Sequence, residues 1–196
     1  MGNPLVCCFD CNDVLINLGR SKAEHARRMF RVECCPQRFK RKYVVSHGLL
    51  TDAQYEEVHQ AVYDPEHLLS LDPVDGAIES IEALIREKHR VCIVTSRTGN
   101  DLEVMKEWWR MRSRFTIDFF GTGKGKSKGP MLRELHADTF VDNDLKKLRK
   151  ISEEGIPPQL FLLSWCNNVH HKLPEHVRRL SSFRQFREEI LALGAV

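Results

Sequence analysis

Short apolar runs recur along the chain, and most of them end abruptly in polar residues. The first, Leu5–Phe9, is directly followed by Asp10. Runs of this length predict buried strands, here at 5–9, 91–95, 115–119, 139–141 and 159–163. Helical or loop sequence follows each run, and this alternation predicts an α/β fold with a parallel sheet.

Three longer segments carry apolar residues at helical spacing. One spans 76–87 with Asp75 as its predicted cap, one begins near Asn100, and one begins near Ser182. Shorter helices are predicted at 131–136 and 145–151. The apolar residues of the longer helices form packing stripes, so their aromatic side chains need no ligand to explain them.

The segment 17–75 is far too long for a simple crossover between two strands. Its pattern predicts helices at 22–32 and 37–46, and a third helix that is opened by the capping box Thr51–Gln54. We therefore expect a helical insertion after the first strand.

Polar side chains follow several of the predicted strands. Asp10 and Asn12 follow the first strand, Thr95-Ser96-Arg97 ends the second, and Asp142 ends the fourth. Because the carboxyl ends of parallel strands meet at one edge, these residues are expected to lie together. Each group alone also has an ordinary explanation as a turn, a helix cap or a solvated loop. Their order along the chain favours a site.

This order of motifs resembles the haloacid dehalogenase superfamily, whose first motif is Asp-x-Asp-x-Thr/Val. The resemblance implies a Rossmann-like doubly wound parallel sheet with a helical cap inserted after the first strand. Residues 1–16 and 76–196 would form the core, and 17–75 would form the cap that selects the substrate. Cations of that cap are candidates to meet a second charged group of the substrate: Arg20, Lys22, Arg38, Lys40, Arg41 and Lys42.

The resemblance also implies roles for the polar residues. Asp10 would be the nucleophile, and Mg²⁺ would be held by Asp10, the backbone carbonyl of Asn12 and Asp142. Thr95 and Lys128 would bind the phosphoryl group of the substrate, and Ser96 and Arg97 would be further substrate-binding residues. For the lysine, Lys126 and Lys124 of the same loop are substitutes. The implied activity is hydrolysis of a small phosphate ester, with a nucleotide suggested by the loose similarity of 71–76 and 163–165 to cytosolic deoxyribonucleotidases.

Two positions depart from the family pattern. Asn12 stands where the phosphatases carry an acid/base Asp, and Asn143 separates Asp142 from Asp144, where two adjacent acids are commonest. Asn12 has no proton to surrender, so reduced turnover is expected. A catalytically inactive phosphate-binding or interaction protein and a phosphotransferase remain alternatives. A dehalogenase is less favoured because it would not need Asp142.

Bulk composition adds only mild constraints. The chain has 196 residues and a formal net charge of +3, and its pI is near 8.5. This charge suits an anionic ligand but does not favour nucleic acid. Most of the basic clusters, which include Lys146-Lys147, are interpreted as solvated helix faces. Seven cysteines without a secretory signal and no membrane-length apolar stretch predict a soluble, cytoplasmic protein without a disulfide framework.

Overall fold

A six-stranded parallel sheet forms the centre of the computed structural model, which describes residues 3–155, 158–164 and 170–193. The order of its strands across the sheet is β3-β2-β1-β4-β5-β6. Their bounds are β1 Val6–Phe9, β2 Arg90–Thr95, β3 Asp118–Gly121, β4 Thr139–Asp142, β5 Gln159–Leu163 and β6 Val177–Leu180. Strands β2 and β3 lie on one side of β1, and strands β4, β5 and β6 lie on the other. This order confirms the predicted doubly wound α/β fold.

Nine α-helices surround this sheet in the described ranges. Four lie between β1 and the fifth helix: α1 Leu18–Phe30, α2 Arg41–Ser46, α3 Asp52–Val62 and α4 Pro65–Ser70. The others are α5 Ala77–Arg86, α6 Asn100–Arg110, α7 Gly129–Glu134, α8 Leu145–Glu153 and α9 Phe183–Leu193. No helix of the described chain is long and apolar enough to cross a membrane.

Two hydrophobic cores lie on the opposite faces of the sheet. Successive side chains of a strand point to opposite faces, and accordingly Phe9 and Cys8 of β1 belong to different cores. The larger core joins Phe9 to α5, α6, α9 and the helices between β1 and α5. The smaller one joins Cys8 to α7 and α8. Both faces of the central strands are therefore covered, as a parallel sheet requires.

The helical insertion follows its predicted pattern with shifted ends. The capping box at Thr51 is present with both of its hydrogen bonds and opens α3 as predicted. The first helix starts at Leu18, before the predicted 22, because the Asp13 carboxylate accepts a hydrogen bond from the backbone N–H of Gly19. The predicted helix at 37–46 is divided into a 3₁₀ turn, Pro36–Arg38, and α2.

Other predictions of local structure were wrong. The strand predicted at 115–119 begins only at Asp118, because the carbonyl of Phe115 accepts the indole N–H of Trp109 and is tied to α6. Strand β6 was missed because only its two ends are buried. Gly76, with a positive φ of 74°, replaces Asp75 as the residue that precedes α5.

Among the described cysteines, Cys35 is disulfide-bonded and the others are free thiols. Cys7, Cys8 and Cys92 are buried in the cores as predicted. Cys35 is disulfide-bonded, which the sequence interpretation did not anticipate because it took seven cysteines without a secretory signal to indicate a reducing compartment. Trp165 and Cys166 lie outside the described residues.

Candidate active site

Strand β1 delivers Asp10 to the carboxyl edge of the sheet. The backbone N–H of Asp10 donates to the carbonyl of Val141 at 2.8 Å, so Asp10 follows β1 beside the end of β4. Its side chain is only 3% exposed, and its Oδ1 accepts the backbone N–H of Cys11 at 2.7 Å. The fold therefore brings together Asp10 and Asp142, the two carboxylates that the sequence singled out.

Lys128 lies between these two carboxylates. Its Nζ is 2.7 Å from Asp10 Oδ1 and 3.0 Å from Asp142 Oδ2, and its side chain is buried. Lys128 immediately precedes α7, as its sequence context suggested. The other two lysines of this loop, Lys124 and Lys126, line an open basic cavity of about 750 Å³ beside α8, which Lys128 also borders.

A second ammonium group, which the sequence interpretation missed, reaches Asp10. Lys147 Nζ is 3.1 Å from Asp10 Oδ2 and 3.9 Å from Asp142 Oδ2. The interpretation of this residue as part of a solvated helix face was wrong, because the first turn of α8 aims it back at the sheet edge. Its position five residues after Asp142, in the helix that begins at Leu145, was the only available signal.

These two ammonium groups determine the charge of the nucleophile candidate. Burial alone would raise the pKa of Asp10, but Lys128 and Lys147 outweigh it and hold that pKa below its ordinary value. Burial raises the pKa of Asp142, and the nearby Lys128 offsets this effect only in part. The charge of Asp10, and then that of Asp142, raises the pKa of Lys147. Asp10 therefore has the lower pKa of the two acids and is ionised, as a nucleophile must be.

Asn12 is held by Arg97, a contact that joins the ends of β1 and β2. Arg97 Nε and Nη2 donate to Asn12 Oδ1 at 3.1 and 2.9 Å. The guanidinium is buried and lies over the ring of Tyr63, with 4.9 Å from Cζ to the ring centroid. Since Oδ1 is the atom that faces Arg97, the amide NH₂ of Asn12 is the group left to donate elsewhere.

The hydroxyl residues after β2 lie at the same edge. Thr95 is buried, and its Oγ1 accepts the backbone N–H of Arg97 at 3.3 Å. Ser96 lines the basic cavity together with Lys124, Lys126 and Lys128. Within the described residues no hydrogen bond joins either hydroxyl to Asp10.

Two further acids, Asp13 after β1 and Asp144 after β4, contact partners other than Asp10 and Asp142. Asp144 caps α8 through the N–H of Lys146, and its Oδ2 is 2.9 Å from Nζ of Lys40 in the helical insertion. Asp13, with a positive φ of 57°, accepts the N–H of Gly19 at 2.6 Å. Asp144 and Asp13 therefore link the sheet edge to the insertion.

The donor set around Asp10 fits a hard divalent cation in its chemistry. Asp10 and Asp142 supply carboxylate oxygens, and in the described part of the chain no hydrogen bond reaches the carbonyl of Asn12. Across the same residues, no cluster of three His, Cys, Asp or Glu side chains forms a metal site. A cation held by these two carboxylates would compete with the ammonium of Lys147, which lies within 3.9 Å of both.

Solved structures with the same fold are numerous. A haloacid dehalogenase-superfamily hydrolase from Deinococcus radiodurans R1, with bound phosphate and sodium, aligns over 100% of this chain and 99% of its own, with a TM-score of 0.65 and 13% identity. The chain has the fold of the haloacid dehalogenase superfamily.

Two further structures with this fold are a dehalogenase and a phosphatase. A dehalogenase covers 96% of this chain and 98% of its own at 11% identity, with a TM-score of 0.62. A D,D-heptose 1.7-bisphosphate phosphatase from B. bronchiseptica, complexed with magnesium and phosphate, covers 96% and 99% at 13% identity, with a TM-score of 0.55. No protein-family model and no curated relative matches the chain. The likeness to haloacid dehalogenase-superfamily structures therefore concerns the fold.

Proposed function

We propose that this chain is a Mg²⁺-dependent hydrolase of a small phosphate monoester, with Asp10 as its nucleophile. The observation that carries the proposal is the setting of Asp10, whose two carboxylate oxygens contact Lys128 and Lys147 beside Asp142. A buried, ionised carboxylate flanked by cations is suited to attack an anionic phosphoryl group. The phosphate ligands of two superfamily structures named above agree with this reaction class.

The first step transfers the phosphoryl group to Asp10. A bond forms between a carboxylate oxygen of Asp10 and phosphorus while the bond from phosphorus to the leaving oxygen breaks. Lys128 balances the negative charge of the nucleophile and the phosphoryl oxygens, and Thr95 donates its hydroxyl to one of those oxygens. Water then attacks the aspartyl-phosphate, which releases phosphate and restores the Asp10 carboxylate.

Asn12 limits both steps of this reaction. Its NH₂ group, turned away from Arg97, donates a hydrogen bond to the leaving oxygen but transfers no proton to it. The same amide cannot deprotonate the attacking water. The general acid/base contribution of about 10²- to 10⁴-fold is therefore missing, and leaving groups that depart without protonation are favoured.

Mg²⁺ would be held by Asp10, Asp142 and the Asn12 carbonyl. When bound, it neutralises negative charge on the phosphoryl group.

We also assign residues 17–75 as a cap on a core of 1–16 and 76–196. The ion pair of Lys40 with Asp144 and the hydrogen bond of Gly19 with Asp13 support this assignment, because each joins the insertion to the sheet edge.

The test is phosphate release from a panel of phosphate monoesters with and without Mg²⁺. The chain as given is compared with Asp10→Asn and with Asp118→Asn, which alters an exposed acid paired with Arg90 at the start of β3. Loss of release in Asp10→Asn alone supports the proposal, and the preferred ester identifies the substrate class. Equal release from all three proteins rejects Asp10 as the nucleophile.

A phosphate-binding protein without turnover is the second candidate. The contact of Asn12 with Arg97 favours it, because a neutral amide is held at the position where hydrolysis needs an acid. Binding of inorganic phosphate by calorimetry, with no release from any ester even in Asn12→Asp, would establish this candidate in place of the enzyme.

A further inference from the structure

A small cleft of about 220 Å³ separates the helical insertion from the sheet edge beside the candidate active site. Its lining includes residues from both sides: Asn12 and Lys147 from the edge, and Lys22, Lys40, Tyr55 and Tyr63 from the insertion. Lys147 also contacts Asp10, so the cleft adjoins the nucleophile candidate. Any group bound here lies next to the phosphoryl group in the proposed function.

Lys22 is a buried cation in this cleft. Its side chain is 7% exposed, and Nζ lies 5.1 Å from the ring centroid of Tyr63 and 5.8 Å from that of Tyr55. No residue of the described ranges forms an ion pair or a hydrogen bond with its ammonium group. A buried ammonium without an anionic partner is costly, so its presence calls for a ligand that supplies the missing charge.

Arg97 is a second buried cation beside the same ring. Its Nε and Nη2 bind the neutral amide oxygen of Asn12, while Nη1 is buried and has no hydrogen-bond partner among the described residues. The ring of Tyr63 contacts both the guanidinium of Arg97 and the ammonium of Lys22. Two buried cations, Lys22 and Arg97, therefore contact the same aromatic ring, and no described residue forms an ion pair with either of them.

Neighbouring acidic side chains do not neutralise the positive charges of Lys22 and Arg97. Lys40 is paired with Asp144, and Arg41 with Asp52 and Glu56. Asp13 is the acid that most offsets the charge of Lys22, but one of its oxygens is committed to the N–H of Gly19. Lys22 in the cleft, and Arg97 behind its lining residues Asn12 and Tyr63, thus lack a contacting carboxylate in the described chain.

We propose that the substrate carries a second anionic group, a carboxylate or a second phosphate, which Lys22 binds in this cleft beside Arg97. The inference rests on the proposed function, since it places the first phosphate at Asp10. The cleft volume of about 220 Å³ lies below the roughly 300–1,000 Å³ of pockets for drug-sized ligands. The group that enters the cleft is therefore small, as a carboxylate or a phosphate is.

The test compares three matched phosphate esters that differ only at the far end. Propyl phosphate ends in a methyl group, 3-phosphonooxypropanoate ends in a carboxylate, and propane-1,3-diyl bisphosphate ends in a second phosphate. Their dissociation constants are measured by calorimetry on Asp10→Asn, which retains Lys22 and Arg97 but lacks the nucleophile. We expect at least one doubly anionic ester to bind about tenfold more tightly than propyl phosphate.

Two further variants, each added to Asp10→Asn, assign this preference to the cleft. Lys22→Met should abolish it while leaving the affinity for propyl phosphate unchanged, because it removes only the cation at the far end. Lys42→Met alters an exposed lysine of α2 and should retain the preference.

The outcomes separate the inference from the proposed function. Equal affinity for all three esters, or a preference that survives Lys22→Met, overturns the inference and leaves the phosphate site at Asp10 intact. Failure of all three esters to bind rejects the proposed function, and the inference with it.

Discussion

Asn12 and Arg97 form a two-donor contact in which Nε and Nη2 of the guanidinium donate to one amide oxygen, at 3.1 and 2.9 Å. The contact places a permanent cation against Asn12, the position at which the proposed function would need an acid/base. It fixes the orientation of the amide, and it also determines what a carboxylate would do at the same position.

The variant Asn12→Asp should regain only part of the missing acid/base catalysis. The introduced carboxylate forms an ion pair with Arg97, which lowers its pKa and keeps it ionised near neutral pH. It can then accept a proton from water but is a poor proton donor to the leaving oxygen. We expect phosphate release to rise by less than about 10²-fold at pH 7 and to rise further as the pH falls toward the lowered pKa. A pH–rate profile that is flat from pH 4 to pH 7 would contradict this account of Arg97.

The variant Lys147→Met should bind Mg²⁺ more tightly than the parent chain. Lys147 Nζ lies within 3.9 Å of both carboxylates that would hold the ion, so it competes with the metal for them. We expect the dissociation constant for Mg²⁺, measured by calorimetry, to fall by about tenfold. Lys146→Met is the control, because Lys146 is the exposed neighbour on the same helix. Unchanged or weaker binding in Lys147→Met would show that the ammonium does not compete.

The variant Lys22→Met should stabilise the fold at neutral pH. Burial lowers the pKa of Lys22 to about 8 from 10.5, so the folded state bears a cost for the charged form on the order of 1–3 kcal/mol. The cost is fully present below pH 8. It fades between pH 8 and 10.5, where the unfolded chain binds more protons and the stability of the parent rises with pH.

Urea unfolding of the parent and of Lys22→Met at pH 7 and pH 10 measures this effect. The advantage of the variant should be largest at pH 7 and smaller at pH 10. A parent that is more stable than Lys22→Met at pH 7 would show that its contacts with Tyr55 and Tyr63 outweigh the burial of its charge.

The variant Gly121→Ala should disturb the position of Arg97. A Cβ at Gly121 would lie 2.3 Å from the carbonyl oxygen of Arg97, so the end of β3 or the loop after β2 must shift. We expect a loss of about 1–3 kcal/mol in unfolding free energy, together with weaker phosphate binding. Gly48→Ala is the control: Gly48 has open space around it and a positive φ of 64°, so this change costs about 1 kcal/mol through the backbone alone. Phosphate binding should be unaffected in that control, and an equal loss of binding in both variants would rule out a specific effect on Arg97.

The sequence predicted the parts of the site that lie next to strand ends. Asp10, Thr95 and Asp142 directly follow or end apolar runs, and a parallel sheet brings such positions to one edge regardless of the details of packing. Lys128 could be predicted because it directly precedes a helix. Strand β6 and the start of β3 could not, since their patterns are short and depend on side-chain contacts such as that of Trp109 with Phe115.

The contacts that distinguish this site depend on three-dimensional packing. Lys147 reaches Asp10 only because α8 begins at Leu145 and turns the lysine back toward the edge. The meeting of Lys22, Tyr63 and Arg97 joins three segments that are distant in the chain. No periodicity of the sequence encodes such a meeting, although Lys22 and Arg97 were each candidates for binding an anion.

The covalent state of Asp10 during turnover tests the central claim most directly. The chain is mixed with Mg²⁺ and para-nitrophenyl phosphate, whose leaving group departs without protonation, then quenched in acid and analysed by peptide mass spectrometry. Because Asn12 cannot activate water, the aspartyl-phosphate should accumulate, and we predict a phosphoryl group on the peptide that contains Asp10, which is absent from Asp10→Asn. Equal release of para-nitrophenol by both proteins, with no phosphoryl group on that peptide, would contradict the account.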